Sequence, residues 1–250
     1  MSVLAVIPAR WASSRFLGKA LAPLAGRPMI QHVWDRATQA RSLDRVLVAT
    51  DDSRIFDAVA SFGGEAVMTP ETCASGSDRI AFVAREHPDA TILVNIQGDE
   101  PLLAPEVIDR AVAALADAPW ASVSTVMTPM RDRTEFESPH NTKVVTDAQG
   151  RALYFSRSPL PSRARERPAS GAPWGMKHLG LYAYRRDALL AFASRSPGVL
   201  EQIEKLEQLR FLEAGDAIVV VESPHDAIGV DTPEELAAVE RLLKEESSRR

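Results

Sequence analysis

Five short apolar runs, at 3–7, 45–49, 65–68, 91–96 and 121–127, constrain this chain more than any other feature. Each is four to seven residues long and rich in β-branched side chains, the signature of strands buried on both faces. Between them lie stretches with helical spacing. Met29, Val33, Ala37 and Ala40 form one apolar stripe, and Ile55, Val59 and Phe62 form the next. Further helices are predicted over 77–86, capped by Ser77, and over 105–117, opened by Pro105. Strand alternating with helix predicts a mostly parallel, doubly wound α/β sheet with helices on both faces, and ligands in such sheets bind beyond the carboxyl ends of the strands.

The strand ends therefore carry the functional reading. The first run stops at Pro8 and empties into a loop holding Arg10, Arg15 and Lys19 among the small residues Ala9, Ala12, Ser13, Ser14 and Gly18. Backbone amides and three cations in one loop suit a polyphosphate, although an ordinary strand-to-helix connection with solvated charges fits the same residues. The second run ends in Thr50-Asp51-Asp52-Ser53. The fourth ends in Gln97-Gly98-Asp99-Glu100-Pro101, which sets the Asp99 carboxylate at the rim of the sheet, where a hard oxygen ligand suits magnesium. Asp231 lies just before Thr232-Pro233-Glu234-Glu235, a helix start with Thr232 as N-cap and Glu235 as its reciprocal partner. It offers a second carboxylate, or simply a charge favoured by the helix dipole.

Beyond residue 129 the pattern changes. Runs 143–146 and 152–155 flank Asp147-Ala148-Gln149-Gly150 and predict an antiparallel hairpin. A proline-rich loop over 156–175 follows; its cations Arg163, Arg165 and Arg167 are expected to be solvated and mobile, whereas Arg157 abuts a strand end. A strand at 177–184, a short helix to 196, one amphipathic helix through Leu200, Ile203, Leu206, Leu209 and Leu212, and a strand at 217–221 complete the order. The chain reads as a single domain over 1–250 with 129–185 as an inserted subdomain.

Several function classes lose their footing. A net charge of −5 argues against general binding to nucleic-acid backbones. Cys73 is the only cysteine, so no intrachain disulfide or cysteine zinc site can form, and a buried or loop thiol is expected. No apolar run approaches the ~20 residues of a membrane span, and the first run is too short for a secretory signal, which together predict a cytoplasmic protein. The Gly-x-Gly-x-x-Gly, Gly-x-x-x-x-Gly-Lys-Ser/Thr and Gly-x-Ser-x-Gly motifs are all missing, and the five histidines show no metal-site spacing.

Taken together, Pro8-Ala9-Arg10 with Ser13, Arg15 and Gly18-Lys19 resembles the signature loop of the sugar nucleotidyltransferases. Further matches narrow the resemblance: Ala49-Thr50-Asp51, Ser75-Gly76-Ser77-Asp78-Arg79, Asn95 through Pro101, Tyr154-Phe155-Ser156-Arg157, His178 through Tyr182, Leu206 through Arg210 and Gly229 through Pro233. In that order they resemble the 3-deoxy-manno-octulosonate (Kdo) cytidylyltransferases, over nearly the whole chain. The resemblance implies a Rossmann-like fold and transfer of CMP from CTP to the anomeric hydroxyl of Kdo for lipopolysaccharide synthesis. It implies that Arg10, Arg15 and Lys19 hold the triphosphate, that Ala9 and Ser13 also belong to the nucleotide-binding set, and that Thr50, Asp51, Ser75 and Gly76 line the cytidine pocket. Asp99 and Asp231 would carry Mg2+, with Arg10, Lys19 and Asp99 as the catalytic set. Arg79, Gln97, Arg157, His178, Tyr182, Glu207 and Gln208 would face the sugar acid, and the inserted region would support a homodimer. Sialate or amino-Kdo activation, and a nucleotide-sensing module without catalysis, stay open alternatives. Two departures stand out: Leu17 and Ala20 occupy positions where the family's loop has prolines, which predicts a loop less rigid before nucleotide binds. Phe82 replaces an acidic residue, and nothing in the sequence accounts for it.

Overall fold

The first apolar run becomes β1 (Val3–Ala9), and it extends through Pro8 rather than stopping there. On one side β1 pairs with its neighbour as far as Ala9, whereas on the other its pairing ends at Val6. Residues alternate sides along a strand, so Pro8, two beyond Val6, turns its missing N–H toward the side where the ladder has already ended. The computed structural model describes residues 1–12, 16–73 and 75–248. The expected contacts of Ser13 and Arg15 thus fall outside the described residues, as do Arg249 and Arg250. Two compact units emerge, one formed by 1–109 with 227–250 and the other by 110–226.

In the first unit the chain runs from β1 through a 3-10 turn (Lys19–Leu21) and the small ribbon β2 (Pro23–Leu24) and β3 (Arg27–Pro28) into α1 (Met29–Ala37). There follow β4 (Arg45–Thr50), α2 (Ser53–Ser61), β5 (Ala66–Met68), α3 (Gly76–Glu86), β6 (Ile92–Asn95) and α4 (Pro105–Asp117), within which the chain leaves the unit. Strand order is β6-β1-β4-β5, and all three pairings are parallel. The chain builds outward from β1 to β5 and then crosses back to the far side of β1. With right-handed crossovers this puts α3 on the face opposite α1 and α2, and it makes the β1/β6 boundary the topological switch point. Pro28 is the N-cap residue of α1 rather than its first helical residue. Ser75, not Ser77, caps α3, in a reciprocal box with Asp78 that satisfies two of the helix's orphan donors; Ser77 is buried instead.

The second unit contains β7 (Val123–Met130), α5 (Arg133–Glu137), β8 (Lys143–Thr146), β9 (Ala152–Ser156), β10 (Gly175–Arg185), α6 (Arg186–Ser194), α7 (Val199–Glu204), α8 (Leu209–Glu213) and β11 (Ile218–Glu222). Here β7 lies parallel to β11 and antiparallel to β10, and the predicted hairpin forms as β8–β9. The single amphipathic helix expected over 200–212 is in fact two short helices. Lys205 adopts a left-handed conformation (φ 56°) that ends α7, and Ile203 is left exposed. Arg163 also departs from expectation: it donates from Nε to the Trp174 carbonyl at 2.9 Å, tying the loop across its base.

The last helix, α9 (Pro233–Ser248), returns to the first unit with its predicted Thr232–Glu235 capping box in place. Val230 and Val239 pack with Leu24 and Met29 in a fully buried cluster, flanked by Leu102, Leu236 and Leu243. Burial of such side chains contributes about 1.5–3 kcal/mol each, enough to hold the C-terminal segment against the β2–α1 corner.

Candidate active site

Three segments far apart in sequence converge at the carboxyl ends of β1 and β6. Gly98 makes this possible: a Cβ there would stand 2.9 Å from the Pro8 carbonyl oxygen, so only glycine lets the 97–99 turn cross the end of β1. The next residue, Asp99, accepts a hydrogen bond at its backbone carbonyl from Val230 N–H at 2.9 Å, which docks the 229–231 strap beside it. Lys19 completes the group. Its Nζ donates to Asp99 Oδ2 at 2.6 Å and to Asp231 Oδ1 at 3.1 Å. The lysine side chain is only 15% exposed, against 29% and 38% for the two carboxylates.

Two carboxylates within reach of one ammonium test the expected magnesium site. Among the described residues no group of three or more His, Cys, Asp or Glu side chains assembles a cage. Magnesium does not need one: it keeps several waters and binds through one or two carboxylates plus substrate phosphates. Asp99 and Asp231 supply hard oxygens in that number, so the donor set fits.

The loop before Lys19 has a brace of its own. Gly18 N–H donates to the Trp11 carbonyl at 3.0 Å and closes the neck of the loop. Gly18 has φ 68°, and a Cβ on it would meet the Trp11 ring at 2.8 Å. On Trp11 also lies the Arg54 guanidinium, 3.5 Å from the ring centroid, itself held by the Asp52 carboxylate that caps α2. That ion pair holds Asp52 below the usual carboxylate range. Leu17, one of the two departures from the family loop, is 66% exposed, whereas Ala20 is buried. Arg10 is exposed at the end of β1, next to the buried Ala9.

Beside this group the end of β4 presents Thr50 and Asp51. Thr50 is fully buried, and its carbonyl accepts from both the N–H and the hydroxyl of Thr69. Asp51 is fixed by Arg79, which donates to its Oδ2 at 2.5 Å and to the Thr69 hydroxyl. Arg79 is 3% exposed. A sugar-facing residue by expectation, it is engaged here with the cytidine-side carboxylate. Ser75 and Gly76 open α3, and Gly76 lies against the Pro8 ring. Gln97 Nε2 reaches Asn95 Oδ1 at 3.4 Å. Cys73 is half-buried, its thiol pushed up by desolvation.

The remaining sugar-side candidates belong to the second unit. His178 sits on β10 just before a bulge at Leu179–Tyr182, where the strand's register against β7 shifts. The Thr125 hydroxyl lies 2.7 Å from the Leu181 carbonyl and 2.9 Å from His178 Nε2. A hydroxyl has one proton, which goes to the carbonyl, so its oxygen accepts from Nε2–H and leaves Nδ1 an acceptor. Burial lowers the His178 pKa to about 3, so the ring is neutral. Tyr182, whose phenol pKa is raised chiefly by burial, continues an aromatic ladder between His178 and Tyr184.

Arg157 is a carbonyl clamp. Its Nε donates to the Glu204 carbonyl at 2.9 Å, its Nη2 to that of Lys205 at 3.3 Å and its Nη1 to that of Pro139 at 3.2 Å. It thereby braces the left-handed break between α7 and α8, the turn that carries Glu207 and Gln208. Lys143, fully buried, donates to the carbonyls of Ser138, Asn141 and Arg157 at 2.6–2.7 Å, and desolvation lowers its pKa. Gln208 is 4% exposed, yet its Nε2 has no hydrogen-bond partner among the described residues. A buried donor left unsatisfied is what a ligand's oxygen would complete.

Sequence reasoning missed Trp11, Arg54, Thr125 and Lys143. Each is an ordinary residue for its local element, and only its through-space partner gives it a role. The carboxylate and lysine of the β1/β6 corner, by contrast, were legible from their places at strand ends.

Comparison with known proteins identifies the family. The cytidylyltransferase family model matches residues 4–219. Curated 3-deoxy-manno-octulosonate cytidylyltransferases from Geobacter sulfurreducens and Syntrophotalea carbinolica are each 51% identical, over 98% of this chain and 100% and 99% of theirs. Among solved structures, CMP:2-keto-3-deoxy-manno-octonic acid synthetase complexed with CTP superposes with a TM-score of 0.92 at 41% identity, covering 98% of this chain and 100% of that one. The 4-diphosphocytidyl-2C-methyl-D-erythritol synthase of Anaerococcus prevotii, at 14% identity and a TM-score of 0.64, shares the fold. With its switch-point corner, its sheet order and these relatives in agreement, this chain belongs to the cytidylyltransferase family, among the 3-deoxy-manno-octulosonate cytidylyltransferases.

Proposed function

We propose that the protein transfers CMP from CTP to the anomeric hydroxyl of Kdo and releases pyrophosphate. The observation that carries this reading is Lys19 between Asp99 and Asp231 at the switch point of a parallel sheet. In the reaction the sugar oxygen forms a bond to the α-phosphorus, the bond from that phosphorus to the β-phosphate bridge breaks, and the hydroxyl proton passes to solvent. Displacement of this kind depends on positioning and charge neutralisation more than on a covalent intermediate.

Asp99 and Asp231 would hold magnesium, which when bound supplies positive charge against the triphosphate and acidifies a neighbouring hydroxyl. Arg10, Arg15 and Lys19 bind triphosphate oxygens, with Ala9 and Ser13 lining the same loop. Thr50, Asp51, Ser75 and Gly76 take the cytidine, and Arg79 fixes the Asp51 carboxylate in one orientation. Gln97, His178, Tyr182, Glu207 and Gln208 contact the sugar acid, and Arg157 shapes the turn that presents the last two. As a neutral ring with Nδ1 unprotonated, His178 accepts a hydrogen bond from a sugar hydroxyl rather than pairing with the carboxylate.

Two copies are proposed to pair through the second unit, where Leu153, Val199 and Ile203 are 59%, 68% and 72% exposed; light scattering showing only monomer at high concentration removes this. No described helix is long and apolar enough to cross a membrane, and a cytoplasmic site of action is proposed, where CTP is made. Pyrophosphate release from CTP with a panel of acidic sugars tests the main reading. Kdo is expected to be turned over fastest, a preference for sialate or amino-Kdo moves the specificity, and no release with any sugar overturns catalysis.

A further inference from the structure

We infer that Lys19 has two stations: before loading, its ammonium is the counter-cation of the Asp99–Asp231 pair, and the divalent ion must displace it from there, freeing it for the triphosphate. The inference rests on the proposed metal role of those carboxylates and extends it to the order of events. At 2.6 and 3.1 Å, Nζ is in direct contact with one oxygen of each carboxylate. Two carboxylates brought this close repel each other unless a cation lies between them, and the strap docked on the Asp99 carbonyl and the crossing at Gly98 hold them there whether or not a metal is present. The lysine side chain is mostly covered, at 15% exposure, and its ammonium reaches both carboxylates at hydrogen-bonding distance, so it fills the place rather than hovering above it.

An ammonium and a divalent ion cannot share the same oxygens at bonding distance, because like charges that close repel strongly in a partly desolvated site. With a divalent ion on Asp99 and Asp231, Nζ would have to leave these oxygens. A lysine's flexible four-carbon stem lets it swing while its backbone stays fixed in the Lys19–Leu21 turn, below the Trp11–Gly18 brace. Released from the carboxylates, the ammonium needs a new anion, and the triphosphate supplies it. The nucleotide-free protein consequently binds metal weakly, and nucleotide and metal load together.

The sign of the expected effect separates this from a lysine that serves the nucleotide alone. Binding of Mn2+ to the nucleotide-free protein, followed by electron paramagnetic resonance, is expected to be at least fivefold tighter in Lys19→Met than in the wild type. Lys19→Gln is measured in parallel, and thermal melts confirm that both fold and that Mn2+ raises their melting temperatures more than it raises that of the wild type. Arg10→Met removes one charge from the same loop, at an exposed residue with no ion pair among the described residues; it controls for general electrostatics and is expected to change Mn2+ affinity less than twofold. Equal or weaker Mn2+ binding in the lysine variants, or an equal gain in Arg10→Met, overturns the exchange and leaves the metal site standing. If neither wild type nor lysine variant binds Mn2+, and Asp99→Asn changes nothing even with CTP present, the metal reading itself fails and takes the exchange with it.

Discussion

The two units treat the same chemistry in opposite ways. At the β1/β6 corner of the first unit, a lysine and two aspartates meet beyond the carboxyl ends of the strands, partly open to solvent. In the second unit, the buried Lys143 and the half-buried Arg157 spend their donors on backbone carbonyls, while His178 is buried and neutral. Charges that meet each other at a rim can be re-paired by a ligand at modest cost. Charges that satisfy buried carbonyls cannot, because removing them leaves those acceptors stranded. The first arrangement is built to exchange partners and the second to hold a shape.

Substitutions that separate turnover from stability can break this contrast. The largest effect is expected for Asp99→Asn: a fall in kcat of about a thousandfold, roughly 4 kcal/mol, with little change in melting temperature. Near wild-type pyrophosphate release would remove Asp99 from the chemistry. Lys143→Met is expected to do the reverse, lowering unfolding free energy by about 2–4 kcal/mol in urea melts while the folded protein keeps its affinity for CTP. Weaker CTP binding without a loss of stability would mean that the second unit's cation is not structural.

Acid should act on the second unit through His178. Its folded pKa of about 3 lies below the ordinary 6.5, so the unfolded chain binds the extra proton first as pH falls. This contribution to stability is full above about pH 6.5 and is lost progressively toward pH 3, at a cost of about 2 kcal/mol between pH 7 and 5. Denaturant titrations at the two pH values should show a flatter dependence in His178→Gln, and an unchanged slope would contradict the assignment. The smallest effect concerns the brace on the cationic loop. Trp11→Ala is expected to raise KM for CTP roughly three- to tenfold with kcat within about twofold, and Trp11→Phe to recover part of it, because the loss is one of preorganisation. Steady-state kinetics with unaltered KM would show that the loop needs no brace in place of its missing prolines.

How much of this was readable in the chain follows from the range of each interaction. Strands β1, β4 and β6 and helix α4 lie where apolar period and proline place them, as do the β8–β9 hairpin and the Thr232–Glu235 box. These are local signals of a few residues. Errors came where a non-local partner outweighed local pattern: Pro8 continues a strand because its nitrogen, which has no hydrogen to donate, faces an ended ladder, and the apparent helix over 200–212 breaks at Lys205, where Arg157, 48 residues away, grips the turn. Arg163, expected to be solvated, finds its carbonyls across a loop.

The departures at Leu17 and Ala20 show the same limit. From the sequence the loop lost rigidity, yet the compensating pieces, Trp11 against Gly18 and Arg54 over the ring, come from two separate elements. No feature of the structure explains Phe82.

By itself the sequence determined the alternation of elements, the cations after β1, the carboxylate after β6 and the family, since periodicity, strand-end residues and ordered motifs are properties of neighbouring positions. Only the tertiary structure decided that Lys19 lies between Asp99 and Asp231, 80 and 212 residues away. That meeting depends on a glycine thin enough to cross Pro8 and on a buried cluster that brings the C-terminal strap home, and neither distance can be read along a chain.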